Sequence, residues 1–200
     1  MSEANFLTYK EKPLVRSGNE IYYGSMSEPY VVKLEILMNH AGITPEISPA
    51  VSAALTKAQS TGRPAGAIEL PDGKVVTGRT SDTLGAASAL LLNALKYLAG
   101  IDEEKDLISS SVLEPICALK TGNLKHKNPR LHTDEVLIAL TISAVDDPEA
   151  KAAREQLSNL EGSDAHFSVI LNESDEMLLK RLGINVSCEA HYENKRLYHK

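Results

Sequence analysis

The chain has 200 residues, of which 42% are hydrophobic, a composition typical of a globular protein rather than a disordered one. The formal net charge of −6 argues against a surface that coats nucleic acid, because phosphate binding depends on clustered Lys and Arg. Two distant cysteines do not make a secreted disulfide framework, and the sequence contains neither a signal-peptide core nor an apolar run of roughly 20 residues. We therefore expect a cytoplasmic protein with no nucleic-acid or membrane partner.

The first part of the chain predicts an appendage and a connector ahead of a main domain over 65–200. Within 5–32, the strand-like runs LTYKEKPLV and EIYYG flank a Ser-Gly-Asn turn, so we expect a β-hairpin over 1–32. The connector, 33–64, contains two helical patterns. The first places four apolar residues on one helix face: Leu34, Leu37, Met38 and Ala41. The second covers 49–60 and ends before a Thr-Gly-Arg-Pro turn.

The main domain opens with a β-hairpin that leads into a central helix. Pro-Asp-Gly between the runs 67–70 and 74–77 predicts a tight turn, since Pro presets φ and Gly takes a positive φ. Ser81 or Asp82 is expected to cap a helix over 83–99. Because this helix is apolar almost all round, we expect it to lie in the interior.

Strand-like and helical patterns alternate through the rest of the chain. We expect strands at 106–109, 166–171 and 184–187, and helices at 112–119, 133–143, 148–160 and 174–182. Such alternation is typical of an α/β fold, and the antiparallel hairpin excludes a purely parallel sheet. The sequence therefore predicts a mixed sheet with flanking helices.

Four sequence segments of the main domain are long enough to indicate a protein family: AIELPDGKVVTGRTSD, LLLNALKYLAG, KNPRLHTDEVLIAL and LGINVSCEAHYENKRLYHK. They resemble the C-terminal part of a bacterial family of unassigned activity, catalogued as domain of unknown function 1846. The resemblance covers 33–200 and implies a cytidine-deaminase-like topology with no known reaction. The segment 5–32, with LTYKEKPLVRSGNEIYYG, instead resembles the start of a separate family of small uncharacterised bacterial proteins.

The sequence argues against the zinc site of the deaminase fold. Zinc deaminases need H-x-E and P-C-x-x-C, which supply a His, two thiolates and a Glu that moves the proton. At the helix start where H-x-E would fall, the sequence reads TSDTLGAAS, and no C-x-x-C occurs. His191 and Glu193 do match the H-x-E pattern, and Cys188 lies three residues before His191, a spacing that metal ligands use. The neighbouring sequence, however, supplies no further metal ligands. We expect no metal and no cofactor.

Two segments are candidates for binding a small anionic ligand. The stretch 78–83 offers hydroxyl and backbone N–H groups at a helix start, where the dipole favours anions; its candidates are Ser81, Asp82 and Thr83. Ordinary helix capping is the alternative there. The loop KHKNPRLH offers cations and an amide that suit a phosphate. Its candidates are Lys125, His126, Lys127, Asn128, Arg130 and His132. A solvated loop that offsets acidic neighbours is the alternative reading.

His132 is the best candidate for catalysis, because an imidazole titrates near neutral pH and serves as a general acid or base. Asp134 and Glu135 follow it and are expected to orient the ring; helix capping is the alternative. His166 begins a late strand and either joins His132 in one pocket or is a satisfied structural residue. KHKNPRLH also faintly resembles the basic loop of a purine-biosynthesis formyltransferase, a zinc-free relative of the fold that handles a phosphorylated ribosyl substrate.

Three hypotheses follow for the function. The first is a non-catalytic or accessory module that binds a small anionic, phosphorylated ligand and forms a homo-oligomer. The second is a transferase or hydrolase for a nucleotide-like or sugar-phosphate substrate, with His132 as acid/base. The third is a structural or protein-interaction module. The first two require one pocket to gather five side chains: Ser81, Lys125, Arg130, His132 and His166.

Overall fold

The computed structural model describes residues 48–189 and residue 193. The N-terminal hairpin and the first connector helix predicted above lie outside these residues. The described elements are α1 (Pro49–Thr61), β1 (Ala65–Glu69), β2 (Val75–Arg79), α2 (Ala86–Leu98), α3 (Ser110–Gly122), α4 (Thr133–Ser143), α5 (Pro148–Glu155), a 3-10 turn (Leu157–Leu160), β3 (Asp164–Phe167), α6 (Glu173–Arg181) and β4 (Asn185–Cys188). Within this part of the chain, no helix has the length and apolar character needed to cross a bilayer.

The predicted hairpin is confirmed, and its strands begin and end close to the expected positions. β1 and β2 pair antiparallel, with Ala67 opposite Thr77. Gly73 has φ of +83° and donates its N–H to the carbonyl of Leu70 at 2.8 Å, which closes the Pro-Asp-Gly turn. The turn therefore forms for the reason the sequence indicates, since glycine adopts this backbone conformation without steric cost.

The four strands form one mixed sheet in the order β2-β1-β3-β4. β3 runs antiparallel to β1 and parallel to β4. Successive residues of β1 serve opposite faces: Ala67 packs with Ala50 and Ala54 of α1, whereas Ile68 joins the main core with α2. The predicted α/β class with a mixed sheet and flanking helices is thereby confirmed.

Helix α2 is central, as predicted, and it packs so closely on β2 that one position there has to be glycine. Leu90, Leu91 and Leu95 of α2 are all at most 2% exposed. A Cβ atom added at Gly78 would lie 2.2 Å from the backbone nitrogen of Leu90. Because helix backbone does not yield as a side chain does, this contact sets the distance between sheet and helix.

The predicted start of α2 is wrong by one turn. Ser81 does not cap the helix; its Oγ accepts from the N–H groups of Thr83 and Leu84, at 3.3 and 3.0 Å, in a separate turn. The helix begins at Ala86 with Gly85 as its N-cap residue, so its start has no side-chain cap. Residues 83–85 instead run alongside a distant segment, which is described below.

Other boundaries also differ from the predictions. The expected strand at 106–109 is not formed: Leu107 and Ile108 are buried in an irregular turn, where they fill the core without pairing in the sheet. Helix α3 is longer than 112–119 and includes Lys120 in its last turn. Asp147 caps α5, but the helix gives way to a 3-10 turn before Leu160. Apolar runs alone do not separate a buried turn from a buried strand.

Candidate functional site

The site is built where the start of α2 meets the start of α4. Leu84 and Leu131 form an isolated parallel β-bridge. The Leu131 N–H donates to the carbonyl of Thr83 at 2.8 Å, and the Leu131 carbonyl accepts from the hydroxyl of Ser88 at 2.8 Å. Leu131 is fully buried. Two segments far apart in sequence are thus fixed side by side, and the two helix starts open toward the same space.

A buried ion pair holds the chain that leads into α4. The Lys120 ammonium is 2% exposed and donates to Oε2 of Glu135 and to the carbonyl of Arg130, each at 2.6 Å. The same Glu135 oxygen accepts the backbone N–H of His132 at 2.8 Å. The ion pair therefore fixes the backbone on both sides of Leu131: Lys120 holds the carbonyl of Arg130, and Glu135 holds the N–H of His132. Such a pair is costly to break because it leaves a buried charge unpaired.

The imidazole of His132 is oriented by Asp175, at the start of α6. Nδ1 of His132 lies 3.2 Å from Oδ2 of Asp175. The other carboxylate oxygen accepts the backbone N–H and the hydroxyl of Thr133, at 2.7 and 2.9 Å. Asp175 is 5% exposed. The expectation that Asp134 or Glu135 orients the ring is wrong, because Glu135 binds the backbone N–H instead and Asp134 is exposed.

Both groups of this pair are shifted toward their charged forms. The hydrogen bond to Asp175 raises the pKa of His132 above its ordinary value of 6.5, although burial acts in the opposite direction. Burial alone would raise the pKa of Asp175, but hydrogen bonds from His132 and Thr133 outweigh it and lower the pKa below 3.8. Opposite charge and hydrogen bonding to the ionised form explain both directions.

Asn172 gives the His132 ring a partner in its neutral state as well. The Asn172 amide nitrogen lies 2.9 Å from Nδ1 of His132. Protonated Nδ1 donates to Asp175, whereas unprotonated Nδ1 accepts from the amide of Asn172. The amide oxygen of Asn172 accepts the backbone N–H of Asp175 at 3.0 Å, as an N-cap residue does. The ring is thereby held in one orientation whether or not it carries a charge.

These groups line a narrow pocket of about 30 Å³ that is partly open to solvent. One wall is the start of α2, at Gly85 and Ala86. Arg130 and His132 also line it, and Glu193 lies beside Arg130, with Nη1 and Oε1 2.7 Å apart. The first N–H groups of a helix have no partner inside the helix, and Gly85, the N-cap residue here, has no side chain to cap them. The pocket therefore combines backbone donors with a guanidinium and an imidazole.

Comparison with known proteins identifies the family. Residues 46–198 match the model described as "Domain of unknown function DUF1846, C-terminal". The chain belongs to this family. It is 47% identical over 173 residues to a UPF0371 protein of Streptococcus thermophilus, which covers 86% of this chain and 35% of that relative. UPF0371 proteins of Streptococcus pneumoniae and Streptococcus pyogenes match at 47% and 45% identity over 175 residues, again with 35% of each relative covered.

The chain thus spans about a third of the length of the curated relatives it matches. The family assignment confirms the resemblance given above for the main domain. The second resemblance, for the segment 5–32, falls on residues that the structure does not describe and stays a prediction.

The DUF1846 domain brings together only part of the predicted site. Asn128, Arg130 and His132 line the pocket. Three predicted loop residues are exposed and do not line it: Lys125, His126 and Lys127. Ser81 and Asp82 lie in a second, shallower depression, where Asp82 pairs with Arg63 at 3.0 Å. Thr83 takes part in building the site through its backbone carbonyl, which accepts from Leu131.

His166 does not join His132, so the five-residue site that the first two hypotheses required does not form, and a binding site can rest only on Arg130, His132 and the residues that share their pocket. Nδ1 of His166 lies 2.9 Å from the hydroxyl of Ser187, and its Nε2 lies 3.2 Å from Glu189. It is 6% exposed and pairs with Ala67 across the sheet, on the side covered by α1. The alternative reading of His166, a satisfied structural residue, fits this placement.

Sequence reasoning missed three residues that organise the pocket, namely Lys120, Asn172 and Asp175, and considered Glu193 only as part of an H-x-E match. A signal was present for two of them, because Asn172 followed three positions later by an acidic residue is an N-terminal helix pattern. That pattern predicts a cap, which is what Asn172 provides to Asp175. It does not predict which distant side chain the acidic residue meets.

The described residues, 48–189 and 193, contain no group of three His, Cys, Asp or Glu side chains placed to hold a metal ion. His191 lies outside them. Cys188 is buried, and this burial raises its pKa to about 12. Cys117 is half-buried, and burial raises the pKa of its thiol as well. Neither thiol is activated as a nucleophile, since that requires a lowered pKa.

Proposed function

We propose that this DUF1846 domain binds a small molecule through a phosphate or carboxylate group, seated between the start of α2 and the side chains of Arg130 and His132. The observation that carries the proposal is that the start of α2, whose N-cap residue Gly85 has no side chain to cap it, lines the same pocket as Arg130 and His132. Uncapped N–H groups at a helix start, together with the positive end of the dipole, favour an anion.

The side chains that share this pocket with the helix start suit the same kind of ligand. Arg130 offers a planar fork of N–H donors that matches two oxygens of a phosphate or carboxylate. His132 adds a positive charge over a wider pH range than a free histidine does, because of its contact with Asp175. Asn128 lines the same pocket and offers an uncharged amide donor. A compact anionic group fits these donors better than an extended polyanion.

A second candidate function is catalysis on a nucleotide-like or sugar-phosphate substrate, by transfer or hydrolysis, with His132 as general acid or base. The paired carboxylate of Asp175 favours this candidate, because a buried carboxylate on Nδ1 fixes the ring and leaves Nε2 to exchange a proton. An enzyme should turn over a bound substrate, and His132→Gln should abolish this turnover while it retains substrate binding. A binding module should show no turnover in either protein.

The test of anion binding is a titration with inorganic phosphate, followed by the ring signals of His132 in NMR spectra. Arg130→Met is expected to weaken binding by about tenfold or more, since a charge-assisted contact contributes on the order of 1.5–3 kcal/mol. Lys127→Met is the matched control, because it removes the same charge from an exposed residue outside the pocket. Equal weakening by both variants, or no binding at all, contradicts the proposal.

We further propose a cytidine-deaminase-like topology, a cytoplasmic location and self-association for the domain. The antiparallel hairpin followed by central helix α2 supports the topology, and the two free thiols support a reducing compartment. Exposed apolar residues on and just after α4 support self-association: Ile138, Ile142 and Val145. If the chain binds no small anion, the alternative function is that of a structural or protein-interaction module.

A further inference from the structure

We infer that Glu193 is an internal competitor for the anion pocket: its carboxylate holds the guanidinium of Arg130 that an incoming anion has to engage. The inference rests on the proposed function and concerns the regulation of the same site. In the sequence, Glu193 belongs only to an H-x-E match that has no further ligands beside it.

The contact between the two side chains is close and well shielded. Nη1 of Arg130 lies 2.7 Å from Oε1 of Glu193, and the two side chains are 23% and 18% exposed. Both residues line the pocket together with His132. An ion pair at this degree of burial is screened by salt less than a pair at the surface. The carboxylate of Glu193 therefore sits as a ligand anion would, on a donor that the pocket provides.

The backbone of Arg130 is held without Glu193, so the contact with Glu193 acts on the guanidinium alone. The carbonyl of Arg130 accepts from Lys120 at 2.6 Å, and its backbone N–H donates to Oδ1 of Asn128 at 3.1 Å. The backbone of Arg130 is thus fixed from within the domain. A bound phosphate beside Glu193 meets a like charge and a donor that is already occupied, so binding requires the carboxylate to leave the guanidinium.

A competitor attached to the same chain weakens binding without closing the pocket. Its effect depends on the fraction of molecules in which it occupies the donor. Removing the negative charge of Glu193 should therefore tighten the binding of every anion that uses Arg130. A dianionic phosphate should displace the carboxylate more readily than a monoanionic acid does, because the guanidinium attracts the larger charge more strongly.

The experiment measures the dissociation constant of inorganic phosphate for the wild-type protein, Glu193→Gln and Glu189→Gln. Glu189 is the matched control, since it carries the same charge but contacts His166, outside the pocket. We expect binding about tenfold tighter in Glu193→Gln, which corresponds to roughly 1.4 kcal/mol, and a change of less than about twofold in Glu189→Gln.

Three outcomes separate the two claims. Tighter binding in Glu193→Gln alone supports the competitor. If phosphate binding depends on Arg130 but is no tighter in Glu193→Gln than in the wild type, the role of Glu193 as a competitor is overturned and the proposed function stays in place. Absence of phosphate binding in all three proteins overturns both.

A measurement on the wild-type protein guards against a variant that does not fold. Carbon-13 NMR of the glutamate carboxyl groups should show the Glu193 signal moving as phosphate saturates the pocket, while the Glu189 signal stays in place. A Glu193 signal that is unchanged at saturation contradicts displacement, whatever the variant does.

Discussion

Nδ1 of His132 and Oδ2 of Asp175 lie 3.2 Å apart, although the two residues are 43 positions apart in sequence. His132 is the N-cap residue of α4, and Asp175 lies in the first turn of α6. The carboxylate also accepts the N–H of Thr133, the first residue of α4. Two helix starts therefore point their positive ends at one buried carboxylate, which favours its ionised form. The pair orients the histidine that the pocket presents to a ligand.

The first prediction concerns the pH dependence of stability. Because the pKa of His132 is raised, its contribution to folding is complete below about 6.5 and is lost as the pH rises through the folded-state value. Because the pKa of Asp175 is lowered, its contribution is complete above about 3.8 and is lost as the pH falls through the folded-state value. The free energy of unfolding from urea denaturation should show this pair's full contribution between those two values.

Two variants test whether His132 causes the loss of stability on the alkaline side. His132→Asn should flatten the decline on the alkaline side, because the neutral amide does not titrate. His126→Asn should leave it unchanged, since His126 is exposed and outside the pocket. An alkaline decline of the same size in His132→Asn and the wild type would show that another group causes it.

The second prediction concerns the buried ammonium of Lys120. Replacing it by Met should lower the free energy of unfolding by about 3 kcal/mol, because Glu135 and the carbonyl of Arg130 lose their shared donor. Lys125→Met provides the comparison, since that side chain is exposed, and it should change stability by less than about 0.5 kcal/mol. Equal effects in the two variants would mean that Lys120 does not organise the loop.

The third prediction concerns the close packing of β2 on α2. Gly78→Ala places a methyl group 2.2 Å from the backbone nitrogen of Leu90, so sheet and helix have to move apart. We expect a loss of about 2–3 kcal/mol, measured by chemical denaturation. Gly122→Ala is the opposite case, because nothing lies within 4 Å of the added Cβ at the end of α3, and it should be neutral or slightly stabilising.

The fourth prediction concerns the proposed self-association. Ile142 is 60% exposed on α4, between Ile138 at 63% and Val145 at 79%. Ile142→Lys should shift the sedimentation coefficient from oligomer to monomer, while Thr141→Lys, on an exposed neighbour in the same helix, should leave it unchanged. If the wild-type protein sediments as a monomer at all concentrations, the proposed self-association is wrong.

The sequence alone determined the local structure and the class of the fold. The Pro-Asp-Gly turn, the apolar helix after it and the alternation of helices and strands depend on near neighbours, and the hairpin, α2 and the mixed sheet formed as these patterns predict. Three pocket residues, Asn128, Arg130 and His132, could be found because they share one polar loop. Local chemistry is visible in sequence because its partners lie a few positions away.

Only the tertiary structure decided which groups share the pocket. Leu84 pairs with Leu131 in a β-bridge, so the helix begins only at Ala86. Its N-cap residue is Gly85, which has no side chain to cap it. Asp175 replaced the expected Asp134 or Glu135 beside His132, because its helix packs on the start of α4. These contacts join segments that are distant in the chain, and no spacing in one sequence encodes them. The sheet order and the packing of helices on it set them instead.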